Sequence, residues 1–217
     1  MHIIWKGQSC FQLLTSQKKG EQTSIVIDPF DESIGLKPPI LRADILLITH
    51  HHRDHDNIKA IKGNPFIIDG PGEYEIKNIF IQGIPAFHDN VGGKKRGKIT
   101  IFTIETEEMR ICHLGDLGQK ELTSDQLDKI GDVDILMVPV GGIYTVDGTE
   151  ASRIISQIEP RIVIPMHYRI PKLKIKLEKI DKFLEAMGIK SVEPQNKLLI
   201  KRKDLPAEEM KVIVLKP

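Results

Sequence analysis

Short apolar runs dominate the chain, some alternating with period two and some unbroken, and they predict strands at residues 2–5, 10–14, 24–28, 44–48, 65–69, 79–83, 98–105 and 109–114. Further runs at 134–138 and 161–164 read as strands buried on both faces, and the tail 198–215 as returning strands. Helical spacing is rarer. It predicts helices at 123–129, at 149–158 after a glycine, and at 175–187, the longest, which Gly188 stops. A short helix is also expected at 56–61, where Asp56 offers an N-cap and Ile58 and Ile61 share a face. Closely spaced strands in the first half predict hairpins, and strand–helix–strand order in the second half predicts parallel pairing. The sum is an α/β (α+β) architecture of mixed sheets flanked by helices.

Length changes this picture only by bounding it. At 217 residues the chain suffices for one domain, 1–217, and has no evident linker, repeat or low-complexity tract; Pro38-Pro39 reads as a loop. A net charge of +1 exerts no global pull on nucleic acid or acidic membranes, although residues 92–98 (Gly-Gly-Lys-Lys-Arg-Gly-Lys) are locally basic. Cys10 and Cys112 lack metal-ribbon spacing and read as buried free thiols. The amino terminus lacks a signal-peptide pattern and no run approaches about 20 apolar residues, so the expected location is the cytoplasm. Oligomeric state is not legible.

The candidate chemistry sits at residues 49–55, Thr-His-His-His-Arg-Asp-His, where His50, His52, Asp54 and His55 form the spacing H-x-H-x-D-H. A histidine-rich surface turn would have the same letters. Imidazoles and carboxylates this dense repel or desolvate one another unless a cation lies between them, and these donors suit zinc, iron, nickel or manganese. The preceding run 43–49 ends as a strand at the first histidine, the place where α/β enzymes hold ligands. His51 falls at the variable position of the motif, and its side chain is expected to point away; His2 belongs to the first strand and needs no functional role.

Five segments in order extend the signal: Ile3-Ile4-Trp5-Lys6-Gly7-Gln8-Ser9-Cys10-Phe11, Ile25-Val26-Ile27-Asp28-Pro29, Pro85-Ala86-Phe87-His88, His113-Leu114-Gly115-Asp116 and Pro165-Met166-His167-Tyr168. With the histidine loop they make the chain resemble the metallo-β-lactamase superfamily, and more narrowly small hydrolases similar to the ascorbate-phosphate lactonase group. The resemblance spans nearly the whole chain and implies a four-layer αββα sandwich. It also implies two divalent ions, zinc first and manganese as the alternative. His50, His52 and His88 would hold one, Asp54, His55 and His167 the other, and Asp116 would bridge them. His113, three residues before Asp116, competes with His88; His88 is favoured, and His113 is left as a buried or supporting residue. The implied reaction has a metal-bridging hydroxide, formed by lowering water's pKa from about 15.7 toward neutrality. That hydroxide would attack a small ester, lactone or phosphorylated metabolite, with Asp54 and Asp116 as the catalytic carboxylates, Asp54 accepting or relaying a proton and Asp116 bridging.

The substrate would be a small molecule, anionic if the basic stretch 92–98 reaches the site; otherwise that stretch is a solvated turn. Tyr144, in the 139–145 segment after a buried strand, and Tyr168, beside a ligand, are expected to line the pocket. Residues 69–75, with Gly70 and Glu75, read as a structural turn. A phosphodiesterase or ribonuclease, or weak β-lactam turnover, would use the same metals. The known nucleases of the superfamily carry an added arm for which this chain has little length. The di-iron oxygen-reductase branch carries a Glu where this chain has His52. A non-catalytic metal-binding module is the reading from another class, and a complete ligand set opposes it.

Overall fold

The computed structural model describes residues 1–16 and 20–217. Its first half runs β1 (His2–Gly7), β2 (Cys10–Ser16), β3 (Gln22–Ile27), β4 (Leu41–Arg42), β5 (Ile45–Leu47), β6 (Ile61–Lys62), β7 (Phe66–Ile68), β8 (Gly72–Ile76) and β9 (Ile79–Phe87). The second runs β10 (Lys98–Thr106), β11 (Met109–His113), α1 (Ser124–Ile130), β12 (Ile135–Pro139), α2 (Gly148–Ile158), β13 (Ile162–Met166), α3 (Asp181–Ala186), β14 (Leu198–Leu199) and β15 (Lys211–Val212).

Alternation along the first strands decides the layering. Phe11 and Leu13 of β2, Ile25 and Ile27 of β3, and Ile45 and Leu47 of β5 face the main core, while Cys10, Val26 and Leu46 join a separate outer cluster with Phe30, Ile34 and Ile48. These strands make one large sheet, ordered β14-β1-β2-β3-β5-β7; the other large sheet is ordered β15-β13-β12-β11-β10-β9-β8, and β4 and β6 pair as a small two-stranded sheet. Strands β12 and β13 are buried throughout, because the second sheet has the first on one face and helices on the other. The result is the expected sandwich of two mixed sheets. The hairpins β1-β2-β3 and β8-β9-β10-β11 are antiparallel, and β11-β12-β13-β15 are parallel, as the spacing predicted. β3-β5-β7 are parallel too, a pairing that the first-half expectation of hairpins did not contain.

Capping fixes the first two helices. Thr123 accepts from the Gln126 N–H and the Gln126 side chain answers to the Thr123 N–H, while Asp147 and Glu150 do the same for α2. Three expectations fail, each because a tertiary bond wins. Residues 56–61 form only a 3-10 turn, Ile58–Ala60, capped by no side chain; Asp56 instead lies beside His51, and the Asn57 N–H donates to the Pro29 carbonyl. The helix expected at 175–187 shrinks to α3: the Glu178 N–H donates to Gly141 O and the Glu178 carbonyl accepts from the Arg169 N–H, which holds 175–179 outside the helix. Gly188 still ends it, at φ +70°. From Gly72 onward, the expected 69–75 turn is the edge strand β8, paired with β9. No helix among the described residues is long and apolar enough to cross a membrane.

Candidate metal centre

The seven ligand-type side chains predicted from the sequence come from four separate segments, and the structure gathers them at the carboxyl ends of strands. His50, His52, Asp54 and His55 follow β5, His88 follows β9, Asp116 follows β11 and His167 follows β13. The Thr100 N–H of β10 donates to the Thr49 carbonyl at 2.8 Å, tying the histidine loop of one sheet to the other. The side chains sort into His50/His52/His88 and Asp54/His55/Asp116/His167; within each group one donor atom per residue lies within 4.8 Å of the rest. Asp116 stands between the groups, its Oδ2 3.1 Å from His167 Nε2, 3.2 Å from His55 Nε2 and 3.7 Å from His88 Nε2.

Asp28 sets the tautomers. Its Oδ2 accepts from the Thr49 hydroxyl at 2.7 Å and from His55 Nδ1 at 2.9 Å, and its Oδ1 accepts from the Thr49 N–H at 2.8 Å. Thr49 has spent its proton, so its Oγ1 can only accept from His50 Nδ1 at 3.0 Å. The Nε2 atoms of both His50 and His55 are therefore turned inward as donors to a cation. Gln8 Nε2 donates to Asp54 Oδ2 at 3.0 Å and Ser9 Oγ to Asp116 Oδ1 at 3.1 Å. Gln8, Ser9, Asp28 and Thr49 received no role from the sequence. Their signal was polar residues at strand ends inside otherwise apolar segments.

His55 supplies the test of fit for a cation. Its Nε2 is buried with no hydrogen-bond partner, although Asp116 Oδ2 lies 3.2 Å and Asp54 Oδ2 3.4 Å away. Burial opposes a charge on this ring, but Asp116, Asp54 and Asp28 outweigh it and hold its pKa well above the ordinary histidine range. A proton on His55 thus places one positive charge among three carboxylates, at a position where a divalent ion would place two. Burial likewise opposes ionisation of Asp116, which the charges of His167 and His55 overcome, keeping its carboxyl well below the usual range. His50 is the reverse, pushed down to about 2 by burial and then by the neighbouring His55, so it stays neutral as a ligand must.

The remaining expectations divide. His113 is committed on both nitrogens, Nε2 to the Ser9 carbonyl at 2.9 Å and Nδ1 to the Gly115 N–H at 3.1 Å, so it supports the Ser9 turn and leaves His88 as the donor. His51 points outward between Asp56 and Asp69. Tyr168 does not line a pocket: it is buried in the core with its ring 5.1 Å from Trp5, and burial raises its phenol pKa. Tyr144 is half-buried under the Arg96 guanidinium, 4.6 Å from its ring centre. The 92–98 stretch is wound around Asp89, whose carboxylate accepts four backbone N–H groups from Val91, Gly93, Lys95 and Arg96. Both cysteines are buried and free, as expected.

Backbone strain and close approach concentrate here. Gln8, Asp28 and His167 hold φ of 52°, 48° and 51°, and the His167 N–H donates to the Gln8 carbonyl. A Cβ on Gly141 would lie 2.1 Å from the His167 carbonyl oxygen, so only glycine fits beside this ligand. A cleft of about 520 Å³ opens onto the site, lined by His52 and Asp54 with Ser33, Arg53 and Lys174. A larger cleft of about 710 Å³ lies at the opposite strand ends; there Asp134 is paired with Arg161 and Arg202, and Glu105 with Arg110.

Fold and site together define a two-sheet sandwich with paired histidine and carboxylate clusters at its strand ends. A family model, the beta-lactamase superfamily domain, matches residues 2–167, and the chain belongs to that family. A UPF0173 metal-dependent hydrolase of Thermoplasma acidophilum is 30% identical over 197 residues, covering 77% of this chain and 83% of the relative. One from Thermococcus onnurineus is 29% identical over 196 residues, covering 76% and 84%. The crystal structure of a Thermotoga maritima protein, described as a candidate zinc-dependent hydrolase of the metallo-beta-lactamase superfamily, has a TM-score of 0.78 at 37% identity. That match covers 99% of this chain and 97% of the other. The protein is a metal-dependent hydrolase of the metallo-β-lactamase superfamily.

Proposed function

We propose that the enzyme is a dinuclear hydrolase of a small ester, lactone or phosphorylated metabolite. His50, His52 and His88 would hold one ion, Asp54, His55 and His167 the other, and Asp116 would serve both. The observation that carries this reading is the position of Asp116 Oδ2 among the Nε2 atoms of three histidines from both groups, one of them unpartnered. Divalent ions bound there supply Lewis acidity and water of near-neutral pKa, and zinc suits this donor set, with manganese the alternative.

The chain's own residues do the rest. Ser9 fixes the orientation of Asp116 and Gln8 that of Asp54, so neither carboxylate must reorganise during reaction. Asp54 is half-buried and lines the cleft; burial opposes its ionisation, but the neighbouring His55 holds its carboxyl well below the usual range, so it would face the site as a carboxylate that can relay a proton. A cleft of about 520 Å³ admits one small molecule, within the range usual for such ligands.

The test is metal analysis together with a hydrolysis screen of lactones, phosphodiesters, thioesters and β-lactams in zinc and in manganese. The wild type should carry two ions per chain and turn over at least one class. Asp116→Ala should lower that rate on the order of 10³-fold and reduce the metal content. Undiminished turnover in Asp116→Ala, or a single ion per wild-type chain, would remove the bridging role.

A further inference from the structure

Residues 169–179 carry Arg169, Lys172, Lys174, Lys176 and Lys179 against one acid, Glu178. The segment is extended in its middle, and its side chains alternate. Leu173 and Ile175 pack on the outer cluster and Leu177 is buried, while Lys172, Lys174 and Lys176 are exposed. This strap is fixed in place. The Lys174 N–H donates to Ile34 O and the Glu178 N–H to Gly141 O, each at 2.8 Å, and a Cβ on Gly35 would lie 2.3 Å from the Lys172 carbonyl oxygen. The row of ammonium groups is therefore presented by a preorganised backbone.

One of them reaches the cleft. Lys174 and Arg53 line it together, beside Ser33 and next to His52 and Asp54. Among the described residues neither cation has an ion pair or a side-chain hydrogen bond. Elsewhere on the surface Lys77, Lys120, Lys129 and Lys182 each hold an acid. Asp31, the nearby acid, is engaged with the Ser33 N–H at 2.7 Å.

We propose that Arg53 and Lys174 form an anion clamp, selecting substrates that carry a phosphate or carboxylate away from the reacting bond. This narrows the hydrolase reading and rests on it. A guanidinium offers paired donors matched to an oxyanion, and an ammonium adds a point charge. Asp31 and Glu32, at the mouth beyond Lys174, would repel a polyanion running past the clamp, so the fit is to a small molecule with one charged end.

Two matched substrate pairs test this: glucono-1,5-lactone with and without a 6-phosphate, and a γ-lactone with and without a terminal carboxylate. The metal-loaded wild type should favour the anionic member, and the more strongly favoured pair identifies the anion. In Arg53→Gln/Lys174→Gln that preference should fall about 10- to 100-fold, mainly through KM, while Lys190→Gln retains it. Inorganic sulfate titrated calorimetrically into the metal-loaded protein should bind the wild type and be weakened equally in the double variant, with circular dichroism verifying the fold. Lactone turnover without anionic preference, or sulfate binding unchanged by the double substitution, overturns the clamp while leaving the hydrolase reading intact. If no lactone is turned over, the lactonase reading fails, and loss of sulfate binding in the double variant still supports the clamp. Salt-steep binding of a single-stranded oligonucleotide through the same two residues would overturn the assignment to a small substrate.

Discussion

The two ligand clusters differ in charge and in bracing. His50, His52 and His88 are all imidazoles, and His52 is exposed at the cleft. Asp54, His55, Asp116 and His167 carry both carboxylates, and three of the four side chains are fully enclosed. Gln8 and Ser9 brace only the second cluster, whereas Asp28 reaches both, through Thr49 to His50 and directly to His55. The lesson is a division of labour: the second cluster carries the charge and most of the bracing, while each cluster shows one residue, His52 or Asp54, to the cleft.

Gly141→Ala should break this comparison most severely. The added methyl meets the His167 carbonyl oxygen at 2.1 Å, and neither backbone can yield without moving the ligand. Stability should fall by about 1–3 kcal/mol in thermal melts, and metal analysis should show the second cluster emptied while the first keeps its ion. Loss of both ions together would mean that the clusters are not separable.

Asp28→Asn acts on both halves. Asparagine is nearly isosteric and tolerates φ near +48°, so the backbone stays unstrained. Its amide cannot accept from Thr49 and from His55 as the carboxylate does, so the tautomers of His50 and His55 come loose. Affinity should drop about 10- to 100-fold at both clusters in competition with a chelator. A drop confined to one cluster would show that the Thr49 relay to His50 is not needed.

The smallest effect is a proton count. His55 in the metal-free chain titrates above the ordinary range and must lose its proton to become a ligand, whereas Asp116 is already ionised. Metal affinity for the second cluster should therefore rise about tenfold per pH unit above neutrality, up to the raised His55 value, with one proton released per ion. The metal-free fold should show the opposite sign. A raised folded pKa contributes stability that is complete below about pH 6.5 and lost as pH climbs through the folded value. Calorimetry in buffers of different ionisation heat counts the proton; a flat profile would mean that His55 is neutral before the metal arrives.

Much of the site was legible because it is local. The H-x-H-x-D-H spacing names four ligands within six residues, and His88, Asp116 and His167 each end or closely follow an apolar strand run that the eye can follow. The caps of α1 and α2 are local too, each closed by residues three apart. Misreadings occurred where bonds connect distant residues. The helical pattern at 175–187 holds only in its last part, because nothing nearby shows that the Glu178 N–H will be taken by Gly141. Tyr168 adjoins a ligand in sequence, but Trp5 claims its ring.

Residue type and spacing, then, determined by themselves that this chain has strand-end histidines and acids suited to a divalent ion, and where α1 and α2 begin, since those follow from periodicity and capping within a few residues. Only the tertiary structure decided that Asp116 stands between two groups, that Asp28 sets the tautomers of two ligands, and that a lysine strap edges the cleft. Each of those depends on a contact between segments tens of residues apart, and the free energy of such a contact is written in neither segment alone.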